Sequence, residues 1–203
     1  MKKILPILFI SVALAGCSAR AVLVQKKTLY DPTEDARIRI FQKNGNKTIK
    51  VINATSCKEI EDNGETIRSR NPFAKENSYN GLPRRTLKSI SIGMPLTQRS
   101  YDAINRDSYL DTDSFTEHRL TANQPVVISG ASWFSTSGAT METSVSCEVN
   151  GEFIPDAGVD YELDYRFLGS NCMIQVYKLE PLDTPEGKVT AKSGKAVPLK
   201  KCD

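Results

Sequence analysis

Histidine is nearly missing from this chain of 203 residues, since His118 is the single one, and Trp133 is the single tryptophan. A catalytic triad built on imidazole has one residue to draw on, and no GxSxG elbow presents a nucleophile to it. No CxxC pair occurs, so a zinc site would need scattered thiolates, and no GxGxxG or GxxxxGK run is present to cradle phosphates. Aromatics make up 7% of the residues and are not interleaved with basic ones, while 27 basic against 24 acidic side chains leave a formal charge of +3. So small an excess argues against nucleic acid as a partner. The expectation is a chain without cofactor or metal and without an enzymatic role.

A long hydrophobic run is missing too. The apolar stretch at residues 4–14 is shorter than the roughly 20 residues a membrane-spanning helix needs. Lys2 and Lys3 precede it and Leu14-Ala15-Gly16-Cys17 follows, the order of a processed leader. Leu14-Ala15-Gly16-Cys17 resembles the lipobox of bacterial lipoproteins. The resemblance covers residues 1–17 and implies that the Cys17 thiol takes a diacylglyceryl group, that cleavage precedes it, and that the new amino terminus is acylated. One acyl chain binds a membrane only marginally, whereas two or three hold firmly. Ser18 in place of aspartate implies, by the same resemblance, sorting to the outer membrane of a Gram-negative envelope. Loss of residues 1–16 removes Lys2 and Lys3, leaving 187 residues with 25 basic side chains against 24 acidic. That length suits one domain.

Past Cys17 the sequence divides into a lipidated tether at residues 17–35, a β domain at 36–180, and a basic tail at 181–203 rich in proline, glycine and lysine. Within the domain the apolar period is two. Ala36, Ile38 and Ile40 alternate with Arg37 and Arg39, and Ile49 and Val51 resume after Asn44-Gly45-Asn46, which predicts a hairpin. A second hairpin is expected where residues 121–124 separate 115–120 from 125–129. Met141, Thr143, Val145, Cys147 and Val149 share a face, as do Val159, Tyr161, Leu163, Tyr165 and Phe167, with Asp160, Glu162, Asp164 and Arg166 on the opposite, solvated side. Gly169-Ser170-Asn171 turns the chain into 172–179, and a short helix is expected at 101–110. Many short, one-sided strands predict an antiparallel β-sandwich, immunoglobulin-like or similar, with a small β-barrel as the alternative.

Four cysteines remain after Cys17, an even number that in an exported chain reads as two disulfides with three connectivities. Cys147 lies on the apolar face of its strand and Cys172 opens a later one, so Cys147–Cys172 is expected to staple facing sheets. By elimination Cys57–Cys202 ties the tail back. Residues 147–172 also resemble stretches of uncharacterised envelope lipoproteins, a resemblance that implies no activity.

Two segments stand out as candidate partner-binding sites. Residues 66–88 hold Arg68, Arg70, Lys75, Arg84, Arg85 and Lys88 against the single acid Glu76, suited to anionic lipid or an acidic protein, or simply to a solvated loop. Trp133 and Phe134 offer an aromatic platform for a glycan or protein at the rim of the sandwich, unless the tryptophan is core. The expected function is that of a membrane-anchored envelope lipoprotein serving as a non-catalytic binding or accessory module. An adhesin or inhibitor that binds an extracellular macromolecule, and a hydrolase with an unrecognised site, are the alternatives.

Overall fold

The computed structural model describes residues 20–43, 49–67, 86–105, 113–137, 142–168 and 171–202. They form two packed sheets, the stapled β-sandwich expected from the alternation. In chain order the elements are β1 (Arg20–Gln25), β2 (Asp35–Lys43), β3 (Ile49–Ile52), α1 (Cys57–Asp62), β4 (Thr86–Ser91), α2 (Gln98–Asn105), β5 (Asp113–Thr121), β6 (Val126–Ser137), β7 (Glu142–Phe153), β8 (Asp160–Leu168), β9 (Asn171–Glu186), β10 (Val189–Val197) and β11 (Lys200–Lys201). The larger sheet has seven strands in the order β1-β4-β5-β2-β8-β9-β10, and the smaller has four, β11-β7-β6-β3.

Neither expected hairpin forms. β2 pairs with β5 and β8 in the larger sheet while β3 pairs with β6 in the smaller, and β5 and β6 are split in the same way. Ile38 and Ile40 therefore meet Ile49 and Val51 in the core from the opposite sheet instead of lying beside them. A period of two shows only that each strand has one apolar face, and both arrangements bury that face. Asn123, at φ 58°, makes the second crossing, with its amide on the Pro155 carbonyl. The sheet is also not wholly antiparallel. β1 runs parallel to β4 and β2 to β8, with strands of the other sheet between them in the chain, and β4 runs parallel to β5, with α2 between them.

Strands occupy the stretches expected to be a tether and a tied-back tail. β1 occupies residues assigned to the tether and is paired with β4 along its whole length. The tail continues β9 past residue 180 and returns as β10, with Val189 and Ala191 buried. Pro181 and Pro185 read as breakers, but at the irregular β9–β10 ladder near the sheet edge a missing amide is tolerated. The expected helix at 101–110 is α2, which begins earlier, at Gln98.

The core between the sheets is built from Ala36, Ile38 and Ile40 of β2, Leu120 of β5, Tyr161 and Leu163 of β8, and Ile174 and Val176 of β9, against Ile49, Val126, Ile128 and Phe153. Each such large side chain contributes about 1.5–3 kcal/mol on burial. Gly130 is required there, because a Cβ would stand 2.6 Å from the Tyr165 ring. Cys147 of β7 joins Cys172 of β9 across the sandwich, with Cα atoms 5.9 Å apart. Cys57, the first residue of α1, joins Cys202 at a Cα separation of 5.7 Å, holding α1 and the chain's end over the outside of the smaller sheet with Ile60, Ile67 and Val127.

Candidate functional site

The outer face of the larger sheet is covered as well, by residues 92–105, and the layer beneath them is ionic. β2 presents Arg37 and Arg39 there, and the parallel register sets them beside Asp160 and Glu162 of β8. Arg37 grips Asp160 with two bonds of 2.7 and 2.8 Å. Arg39 and Glu117 have no exposed side-chain surface and Glu162 has 5%. Arg39 donates to Glu117 at 2.7 and 3.0 Å, to Glu162 at 2.9 Å and to the Pro95 carbonyl at 2.7 Å. The other oxygen of Glu117 accepts from Ser91 Oγ and from the Ile92 and Met94 amides. Glu162 accepts from Thr97 and Ser193. Two buried carboxylates around one guanidinium are tolerable only with their lone pairs occupied in this way. The network clamps the crossing segment across β5, β2 and β8, and Leu96 O then receives the amides of Thr190 and Ala191 on β10.

Two depressions flank this layer. The first, about 650 Å³, lies between α2 and strands β8 to β10, with Thr97, Arg99, Glu162, Tyr177, Lys192 and Ser193 in its wall. The second, about 620 Å³, opens where the larger sheet divides. β2 and β8 are paired only from Arg37↔Asp160 to Ile40↔Leu163, after which β2 stays with β5 as far as Lys43↔Asp113 and β8 stays with β9 as far as Leu168↔Asn171. Phe41, Lys43, Ser132, Tyr165, Phe167 and Leu168 line the fork. Arg99, Asp164 and Arg166 belong to both depressions. Arg99 stacks on Phe41 at 3.9 Å and bonds Asp113 and Asp164, and Arg166 bonds the other oxygen of Asp164 through Nε. Burial lifts the Tyr165 phenol above its ordinary pKa, against the opposing effect of its bond to Ser132.

The solvated acid face expected on β8 is therefore corrected. Asp160, Glu162 and Asp164 each meet an arginine, and Glu162 is buried. The signal was in the sequence as two complementary alternations, Arg37 and Arg39 on one strand and Asp160, Glu162 and Asp164 on another, but nothing local set the two strands side by side. Of the residues singled out beforehand, Cys17, Arg68, Arg70, Arg84 and Arg85 lie outside the described residues. Lys88 is an exposed residue of β4. Trp133 and Phe134 belong to β6, paired with Ser146 and Val145, so their backbone is mid-ladder and not a rim loop. Their side chains lie outside what the structure describes.

His118 sits opposite Ile38, on the inward side of β5. Its side chain is exposed, yet desolvation by the sheet, reinforced by the Lys26 ammonium, holds its pKa below the ordinary value. No hydrogen bond joins it to a carboxylate or serine among the described residues. Among those residues no cluster of three metal-ligating side chains occurs, and no helix is long and apolar enough to cross a membrane. No family model matches this chain, and neither a curated protein nor a solved structure is similar to it.

Proposed function

We propose that the chain is a lipid-anchored protein of the outer membrane, held through Cys17, whose sandwich serves as a non-catalytic binding or accessory module. The observation that carries this reading is the pair of disulfides, one across the two sheets and one closing a separation of 145 residues. Such bonds persist in oxidising compartments outside the cytosol, where a chain with a lipobox at residues 14–17 is delivered. Support for binding over catalysis comes from the acids near the first depression: Glu162 and Asp164 are each engaged by an arginine, Arg39 and Arg99. The depression has an apolar side at Leu182, Val189 and Ala191 and a polar side at Gln98 and Lys192, the mixture found in ligand and partner sites.

Two measurements test the two halves. A fatty-acid probe should label the wild-type chain in cells and not Cys17→Ser, and a labelled mutant would refute the anchor. A photo-crosslinking amino acid placed at Lys192 should give a discrete adduct in intact envelopes that the same group at exposed Glu59 does not. Indistinguishable patterns at the two positions would refute the module reading.

A further inference from the structure

β1 begins at Arg20, three residues after Cys17, and runs in register with β4 from Arg20↔Thr86 onward. Fully extended, three residues span about 10 Å. If Cys17 is lipidated, no tether lifts the domain away, and the corner of the sheet holding Arg20 stands within about a Debye length, 8–10 Å, of the headgroups. Strand directions show what shares that end. β1, β4 and β5 are mutually parallel, β2 is antiparallel to β5, and β8 is parallel to β2. The end that carries Arg20 thus also carries Asp113, Lys43, Leu168 and Asn171, and with them the open fork between β2 and β8. At about 4.8 Å per strand, Lys43 lies roughly 14 Å from Arg20 along this end.

The chemistry here suits an anionic lipid surface. Leu168 is 63% exposed and Met173 is exposed beside it on β9. Arg166 has 58% of its side chain in solvent and holds Asp164 through Nε, while its terminal nitrogens make no hydrogen bond to the described residues. Lys43 is exposed on the other side of the fork. Among the described residues of the larger sheet, the acids at this end, Asp113 and Asp164, are both engaged by Arg99. Exposed apolar residues alone do not choose an end, since Leu29 and Ile154 stand at the opposite one. The position of Arg20 does.

We propose that this end of the larger sheet is turned toward the membrane in which Cys17 is anchored, with Arg166 and Lys43 meeting anionic phospholipid headgroups and Leu168 shielded beside them. The orientation rests on the anchoring proposed above, and the test separates the two. The purified lipoprotein, carrying Leu168→Cys or Ile154→Cys labelled with a fluorophore, is reconstituted into phosphatidylcholine vesicles with and without phosphatidylglycerol, and quenching by aqueous iodide is measured. Because iodide is itself an anion, acrylamide serves as a second, neutral quencher. The expected result is several-fold slower quenching at position 168 than at 154 in the phosphatidylglycerol vesicles, a difference that shrinks when Arg166→Glu and Lys43→Glu are combined. Equal quenching at both positions, in protein whose fatty-acid label is intact, overturns the orientation while leaving the anchor standing. Shielding unaffected by the charge reversals overturns the headgroup contact. Absence of the fatty-acid label overturns anchor and orientation together.

Discussion

The two faces of the larger sheet are both covered and are held by different physics. Ile38 and Arg39 are neighbours on β2, each with no exposed surface, one pointing into an apolar core and the other into a ring of carboxylates, hydroxyls and amides. The apolar side needs only matching shapes, and its cohesion is spread over many contacts. The ionic side has no such redundancy. Desolvating a guanidinium and two carboxylates costs several kcal/mol per ion, which good geometry barely offsets, so the ring adds little net stability while making any single loss severe. It does specify where residues 92–97 lie, since only one path brings the Ile92 and Met94 amides to Glu117 and the Thr97 hydroxyl to Glu162.

The sharpest way to break that contrast is Arg39→Ala, which should destabilise the fold by about 3–5 kcal/mol in urea unfolding, because two carboxylates stay buried without their cation. Combining Arg39→Met with Glu117→Gln and Glu162→Gln keeps acceptors for the surrounding donors and should lose less than the single substitution. An equal or larger loss would show that shape, and not uncompensated charge, carries the cost. On the apolar side, removing the inter-sheet staple with Cys147→Ala and Cys172→Ala should cost about 3 kcal/mol for its closed loop, read from urea unfolding as a lower midpoint with a steeper slope, because the unfolded chain is freed to expand. A smaller penalty, about 1–3 kcal/mol, is expected for Gly130→Ala, whose added methyl meets the Tyr165 ring. Wild-type stability there would mean that the ring can move aside.

The smallest effect belongs to His118, where the inward side of β5 is left exposed. Its pKa is lowered in the folded protein by desolvation and then by Lys26. The folded state therefore binds the proton less readily than the unfolded one, for which the pKa is about 6.5. Its contribution to stability is present above that pH and is lost as pH falls through the lower folded value. As the lone histidine, its ring resonances can be followed by NMR, and a midpoint at or above 6.5 would contradict the shielding. His118→Gln should flatten that part of the pH profile.

Some of this was legible from local pattern. Alternation in residues 159–167 marked β8, and Val159, Tyr161, Leu163 and Tyr165 do face the core. Placing Cys147 on an apolar face and Cys172 at a strand start led to the pair that the structure joins. The fork between β2 and β8 had no such signal, since it exists only because two strands remote in sequence pair for four residues and then follow different neighbours. The same holds for β1, too short for its periodicity to count until β4 lies beside it.

The sequence by itself determined the strand-rich fold, because a period of two can satisfy its apolar face only in a packed sheet. It also determined the residues from which the ionic layer is made. Only the tertiary structure decided which face of β8 was dry, which end of the sandwich holds Arg20, and that Arg39 and Glu162 meet. Burial and pairing depend on strands brought together from positions 123 residues apart, and a local window holds no information about a partner that far away.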